Sequence, residues 1–357
     1  TDNIVENSHP LNQGFVDTYN YLLRHSQPLM KYYHWFVQTF KPNDSELGFR
    51  LVVGYINNLL DRVQPDVLVS AHPMTNQYLA RTLKARGDEK KIKLITLVTD
   101  PNGELWKGWA CPEAALTIVP NDLAMNRLIS WGVPPERIRP LGVPVHPDFI
   151  KPASVSQEEF RHHLGLHRDR LTICINAGWA GGGNMLAIYK ALEKVDRPLQ
   201  VIFLCGHNRQ LYEKARRMSR RSSIPTAVLP FHDRIGDLMS AVDLMVTKAG
   251  GLTTFEAVAK RLPMAFDMIT EPMPQEIGTM NLLVSQGLAR EIRRPRDIVK
   301  IVSELQPVAD RANVKLPSAH YLDRVGAVYD ITRTIMSYCD PLYQPIVEHR
   351  PATEHCL

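Results

Sequence analysis

Between Val246 and Gln286 the chain gathers two adjacent glycines, Gly250 and Gly251, then Leu252, Thr253 and Thr254, the carboxylate of Glu256, and the pair Gln275 and Glu276. Gly250 and Gly251 allow backbone to approach a ligand closely, and a helix that starts beside them offers unpaired amides and a positive dipole end to a diphosphate. Thr253 and Thr254 are placed to cap that helix or to donate to phosphate oxygens. Glu256, read as part of the first helical turn, has two roles open to it. Its carboxylate can accept both hydroxyls of a vicinal diol such as ribose, or it can close a capping arrangement with Thr253. Diphosphate and diol ligands side by side are the chemistry of a nucleotide-sugar pocket.

A second glycine-rich turn stands upstream. Leu171 to Asn176 reads as a buried strand, followed by Gly178 and then Gly181, Gly182 and Gly183 before a helix predicted from Met185 to Lys194. This turn lacks a P-loop lysine and the full dinucleotide fingerprint, but it could clamp the same phosphates from the opposite side. The next strand, Leu199 to Cys205, stops at Gly206, with His207 and Asn208 after it. Ala227 to Leu229 leads into Pro230, Phe231, His232 and Asp233, a turn able to hold a base.

These loops need a frame that points them at one place. Strand, turn and helix repeat at least four times, which predicts an α/β fold with a doubly wound parallel sheet and ligands at the carboxyl ends of its strands. In the first half, Val67 to Ser70 and Ile92 to Val98 read as strands ending near His72 and Asp100. Asp100 is the leading candidate for a general base, with a turn cap beside Pro101 as its structural alternative. His72 is the second candidate. The proline-rich segment from Pro144 to Pro152 reads as a domain linker.

Several strings resemble glycosyltransferase family 28, in particular the monogalactosyldiacylglycerol synthases of plants and the bacterial diacylglycerol glucosyltransferases. They are QPDVLVSAHPM, LVTDPNGELWKGW and PNDLAMNRLISWGVPPERIRPLGVPV in the first half, and VIFLCGHNRQLYEK, DLMSAVDLMVTKAGGLTTFEAVAKRLP and PQEIG in the second. The resemblance runs from Phe15 to Ile331. The peptidoglycan N-acetylglucosaminyltransferase is similar more distantly, around Ala249 to Glu256 and at Asn281.

The resemblance implies a GT-B fold: two Rossmann-like domains facing a cleft, here residues 1–146 for the acceptor and 147–317 for UDP-sugar. Residues 318–357 would supply a helix, Ala319 to Tyr338, returning to the first domain, and a tail. It implies diphosphate contacts at Gly181 to Gly183 and Gly250 to Thr253, and ribose at Glu256, with Gly206 also among the donor-binding residues. Uracil is expected near Phe231, and donor-sugar hydroxyls at Gln275 and Glu276, with Asn281 nearby. The activity implied is an inverting transfer of a hexose from a UDP-sugar to a membrane lipid acceptor, diacylglycerol, with no metal required. The alternatives are an isomerase of the UDP-N-acetylglucosamine 2-epimerase type and a non-catalytic donor-binding half.

The chain also departs from the family. Gly250-Gly251-Leu252-Thr253 replaces the usual GPGT, and Gly278-Thr279 replaces the GN that commonly follows the Gln-Glu pair. A glycine-rich loop bearing a histidine, which the family carries near the acceptor, has no counterpart before Thr1. From this a separate N-terminal subunit is an expected partner.

Composition sets limits. No apolar run approaches the ~18 residues of a membrane span. Five cysteines show no paired metal spacing, and Cys174 and Cys205 fall inside predicted strands, as reduced thiols of a cytoplasmic protein would. The net charge of +5 suits anionic lipid or UDP-sugar and does not point to nucleic acid. Arg216, Arg217, Arg220 and Arg221 read as a solvated helix end. Between Phe15 and Phe40, aromatics including Trp35 and Phe36 alternate with cations, a pattern suited to peripheral membrane contact, with a core helix pair as the alternative. Trp106 and Trp109, beside Gly103 and Gly108, are expected to line the acceptor mouth.

Overall fold

The computed structural model describes residues 2–25, 45–100, 105–179, 181–270, 272, 274–305 and 326–339. Trp35, Phe36, the segment Pro307 to Pro317 and the C-terminal tail lie outside the described residues.

Short β-branched runs form two parallel sheets. The first has four strands in the order β1 (Val67–Ser70), β2 (Lys93–Leu97), β3 (Leu116–Val119) and β4 (Ile138–Pro140). The second has six: β5 (Leu171–Asn176), β6 (Leu199–Leu204), β7 (Thr226–Leu229), β8 (Leu244–Thr247), β9 (Met264–Asp267) and β10 (Ala289–Ile292), arranged β10-β9-β8-β5-β6-β7. Among the described residues all pairings are parallel. From β5 the chain winds outward through β6 to β7, then returns to start β8 on the other side of β5. The β5/β8 boundary is therefore a topological switch point, where a crevice opens at the carboxyl ends of the strands.

Apolar packing holds each sheet. Ile173, Ile175, Val201 and Phe203 face one core with Tyr189 and Ile298, while Cys174, Ile202 and Met245 face the other with Leu238 and Phe255. Gln200, fully buried in β6, is satisfied by His167 O, His167 N and the Thr172 hydroxyl. The first sheet is covered on one side by helices Glu46–Val63 and Asn76–Arg86, whose Val52, Ile56, Leu60, Leu79 and Leu83 meet Ile92 and Leu94. Helix Ala327–Cys339 supplies Ala327 and Ile331 to the opposite face, against Ile95, Leu116 and Ile118. The chain thus returns to its first sheet after completing the second.

Two local expectations change. The helix after β8 starts at Gly251 with Gly250 as N-cap, not at Thr253, and no side chain caps it. Thr254 instead bonds back to Gly250 O at 2.6 Å. Glu256 therefore falls in the second turn, beyond reach of a capping arrangement, and no acidic residue occupies the first turn.

Candidate functional site

Four loops meet around the crevice of the second sheet, and their glycines have distinct tasks. Gly206 has φ +58°, and a Cβ there would lie 2.2 Å from Gly178 O and 2.5 Å from Trp179 O. Gly181 has φ +64°, and its Cβ would meet Cys205 O at 2.4 Å and Asn208 Cβ at 2.3 Å. These two glycines interlock the loops after β5 and β6, with Asn208 Nδ2 donating to Gly181 O at 2.7 Å and His207 N to Trp179 O at 2.9 Å. Their first role is thus loop packing, which sequence spacing alone did not distinguish from contact with a ligand.

Gly182 and Gly183 face the other way. A Cβ on Gly183 would stand 2.8 Å from Asp267 Oδ2 and 3.1 Å from Lys248 Cε, and one on Gly182 would stand 3.4 Å from Lys248 Nζ. Asp267, at the end of β9, accepts from Asn184 N at 2.7 Å, Asn184 Nδ2 at 3.1 Å and Ile269 N at 3.2 Å. Asn184, Lys248 and Asp267 were missed in the sequence because 83 residues separate Asn184 from its partner. A strand ending in aspartate beside the crevice was the available signal. Gly250 has open space around its Cα, and Leu252 is 64% exposed.

Glu256 is buried at 9% exposure, and among the described residues no donor reaches its carboxyl. Desolvation pushes its pKa up to about 7. A carboxyl left unpaired in this way is costly unless a ligand completes it.

An aromatic wall lines the carboxyl ends of β5 to β7. His207 stacks on Phe231 with centroids 4.5 Å apart, and Trp179 meets His207 edge-on at 5.3 Å. Trp179 and Phe231 remain 61% and 48% exposed. Flat, exposed and adjacent to the glycine loops, this wall can accept a base by stacking.

Glu276 lies in the first turn of helix Pro274–Ser285 and Gln275 beside it in that helix. Asn281 is exposed and, at about 100° per residue, lies about 140° round the helix from Glu276, so this helix does not bring the two onto one face.

In the first sheet the loops after β1 and β2 are knitted by the same device. A Cβ on Gly108 would lie 2.6 Å from Pro73 O, and Asn76 and Gln77 both donate to Gly108 O. This places His72 and Asp100 within electrostatic reach of each other. Burial raises the Asp100 pKa, opposed by a hydrogen bond from Trp109 and by His72. His72 keeps an exposed face, yet the surrounding protein lowers its pKa, opposed by Asp100 and by Glu6 of helix Ile4–Ser8. Trp109 does not line an acceptor mouth: it is 1% exposed and spends its indole N–H on Asp100. Trp106 is half-buried against the same cluster.

Paired Rossmann-like parallel-sheet domains define the GT-B class, and solved structures of that class superpose on this chain. A putative UDP-N-acetylglucosamine 2-epimerase from Listeria monocytogenes matches over 84% of this chain and 81% of its own, at TM-score 0.61 and 15% identity. Anabaena Alr3699/HepE in complex with UDP and glucose matches over 82% and 83%, at TM-score 0.55 and 16% identity. At these identities the likeness is one of fold.

Sequence carries the assignment further. Residues 1–145 match the monogalactosyldiacylglycerol (MGDG) synthase family model, and residues 184–276 match that of the glycosyltransferase family 28 C-terminal domain. The first part of the chain is thus similar to the monogalactosyldiacylglycerol synthases, and the second carries a segment similar to the C-terminal domain of glycosyltransferase family 28. A probable chloroplastic monogalactosyldiacylglycerol synthase of Glycine max is 28% identical over 337 residues, 91% of this chain and 62% of that protein. The chain thus spans about three-fifths of the length of the curated relatives it matches.

Proposed function

We infer that the protein is an inverting glycosyltransferase that moves a hexose from a UDP-sugar to a diacylglycerol-type lipid. The observation that carries the reading is the buried, unpartnered carboxyl of Glu256 beside two interlocked glycine loops and an exposed aromatic wall. Ribose hydroxyls would complete Glu256, the loop amides and the Gly251 helix end would take the diphosphate, and Phe231 with His207 would take the base. Gln275 and Glu276, on the next helix, would address the sugar.

On the acceptor side, Asp100 would remove the proton as the hydroxyl attacks the anomeric carbon. His72 is the second candidate for that step. Preorganised amides, rather than covalent chemistry, would stabilise the departing UDP, and no metal is required in this scheme.

The match of the first 145 residues to the MGDG synthase model favours this reading over the epimerase, since the fold is common to both. No described helix is long and apolar enough to cross a membrane. Helix Pro10–His25 leaves Leu11, Phe15 and Tyr21 exposed, which supports peripheral contact with a lipid surface.

The test combines UDP titration by calorimetry with turnover of UDP-galactose and UDP-glucose on diacylglycerol vesicles, with and without EDTA. A β-linked glycolipid formed equally well in EDTA is the expected product. Interconversion of UDP-N-acetylglucosamine with its epimer and no lipid product would replace this reading with the isomerase. Absence of UDP binding by the folded chain would overturn the transferase reading.

A further inference from the structure

We propose that Lys248 is the residue that binds and neutralises the nucleotide diphosphate, an assignment that rests on the UDP-sugar reading above. Lys248 directly follows β8, at the switch point, and is half-buried. Its stem packs on Gly183 and its ammonium on Gly182, the two glycines of the loop that face the crevice rather than the neighbouring loop.

A half-buried ammonium ordinarily finds a carboxylate. Among the described residues, Lys248 has no ion pair and no hydrogen bond, although Asp267 closes the same loop. Asp267 is committed elsewhere: its two oxygens accept from Asn184 N, Asn184 Nδ2 and Ile269 N. Its task is to pin Asn184, and so the end of the glycine loop, to the end of β9. The result is a fixed cation with free donors, set between the two glycine loops and next to an uncapped helix N-terminus at Gly250. A compact point charge with three donors suits phosphate oxygens, and the glycines leave no Cβ to keep the phosphates away from it.

The chemistry selected is a diphosphate rather than the nucleoside. The test therefore compares UDP, UMP and uridine by calorimetry on the full chain and on Lys248→Met and Lys248→Arg. Lys248→Met should lose about ten- to hundredfold in UDP affinity, with uridine binding unchanged and a flatter salt dependence for UDP. Lys248→Arg should recover part of the loss.

Equal losses for UDP and uridine would make Lys248 a support of the loop and overturn the assignment, as would unchanged UDP affinity in Lys248→Met. Failure of the unmodified chain to bind either UDP or uridine would instead remove the nucleotide pocket itself, and the assignment with it.

Discussion

The indole Nε1 of Trp109 donates to Asp100 Oδ2 at 2.6 Å, a single bond that holds the half-buried carboxyl at the mouth of the first sheet. Burial raises the Asp100 pKa, while this bond and His72 pull it down. A hydrogen bond to the charged form favours that form, so removing the donor must raise the pKa further. With Asp100 as general base, Trp109→Phe should move the acid limb of the pH–rate profile upward by about one pH unit. UDP affinity should not change. A limb that stays in place would remove Asp100 from the proton transfer, leaving His72 to be tested in the same way.

Glu256 ties stability to pH in a defined direction. Its folded pKa of about 7 stands above the ordinary 4.5, so folding disfavours its ionised form. The corresponding stability is fully present below the unfolded value and is lost as pH rises through the folded one. Glu256→Gln cannot ionise and should gain on the parent by about 2 to 3 kcal/mol between pH 5 and pH 8, read from urea unfolding at each pH. The same substitution should weaken UDP, because hydroxyls of the ligand would donate to the carboxylate and favour its charged form. UDP binding near pH 7 should then release a fraction of a proton, measurable as a dependence of calorimetric heat on the buffer's ionisation enthalpy. A pH-independent difference in stability would mean that the carboxyl is not desolvated in solution.

Much of this was readable in the sequence, and what was not has physical causes. The strands Val67–Ser70 and Leu171–Asn176 have the bounds that their apolar runs and following turns predict. The helix after β8 begins earlier than expected, because glycine at N-cap and first-turn positions needs no side-chain cap once β8 and its neighbours hold the loop. Trp109 was misplaced for another reason. An aromatic near glycines reads equally well as a surface ring or as a core ring, and only the contact of Gly108 with Pro73 O decides that the turn folds inward. Asp267 and Asn184 were invisible together since their meeting depends on β9 lying beside β8 and β8 beside β5.

The glycines can be separated by experiment. At Gly206 an added Cβ would collide with two carbonyl oxygens at a positive φ, so Gly206→Ala should cost about 2 to 4 kcal/mol of stability. Gly250→Ala meets open space and should cost only the modest difference between a glycine and an alanine N-cap, about 1 kcal/mol or less. UDP affinity that falls in Gly250→Ala while its melting temperature is preserved would show close backbone approach by a ligand. Equal stability losses in the two variants would contradict the loop interlock.

At the opposite end of the second sheet, Arg161 and Asp243 form an ion pair at 2.8 Å, with Arg161 only 4% exposed. Arg161 also donates to Ala241 O at 2.7 Å and Arg168 O at 3.1 Å, and Asp243 accepts from Thr172 N at 2.8 Å. The pair therefore joins helix Gln157–His163 to the starts of β5 and β8. Removing one partner strands the other as a buried charge, which costs more than the pair itself contributes. Asp243→Ala should destabilise the chain by about 3 to 5 kcal/mol in chemical unfolding, and Arg161→Met combined with Asp243→Ala should recover part of that loss. Because the pair lies at the amino ends of the strands, away from the crevice, the double variant should bind UDP with the parent's affinity whenever it is folded. A double variant that is stable but no longer binds UDP would mean that the base of the sheet controls the loops at its top.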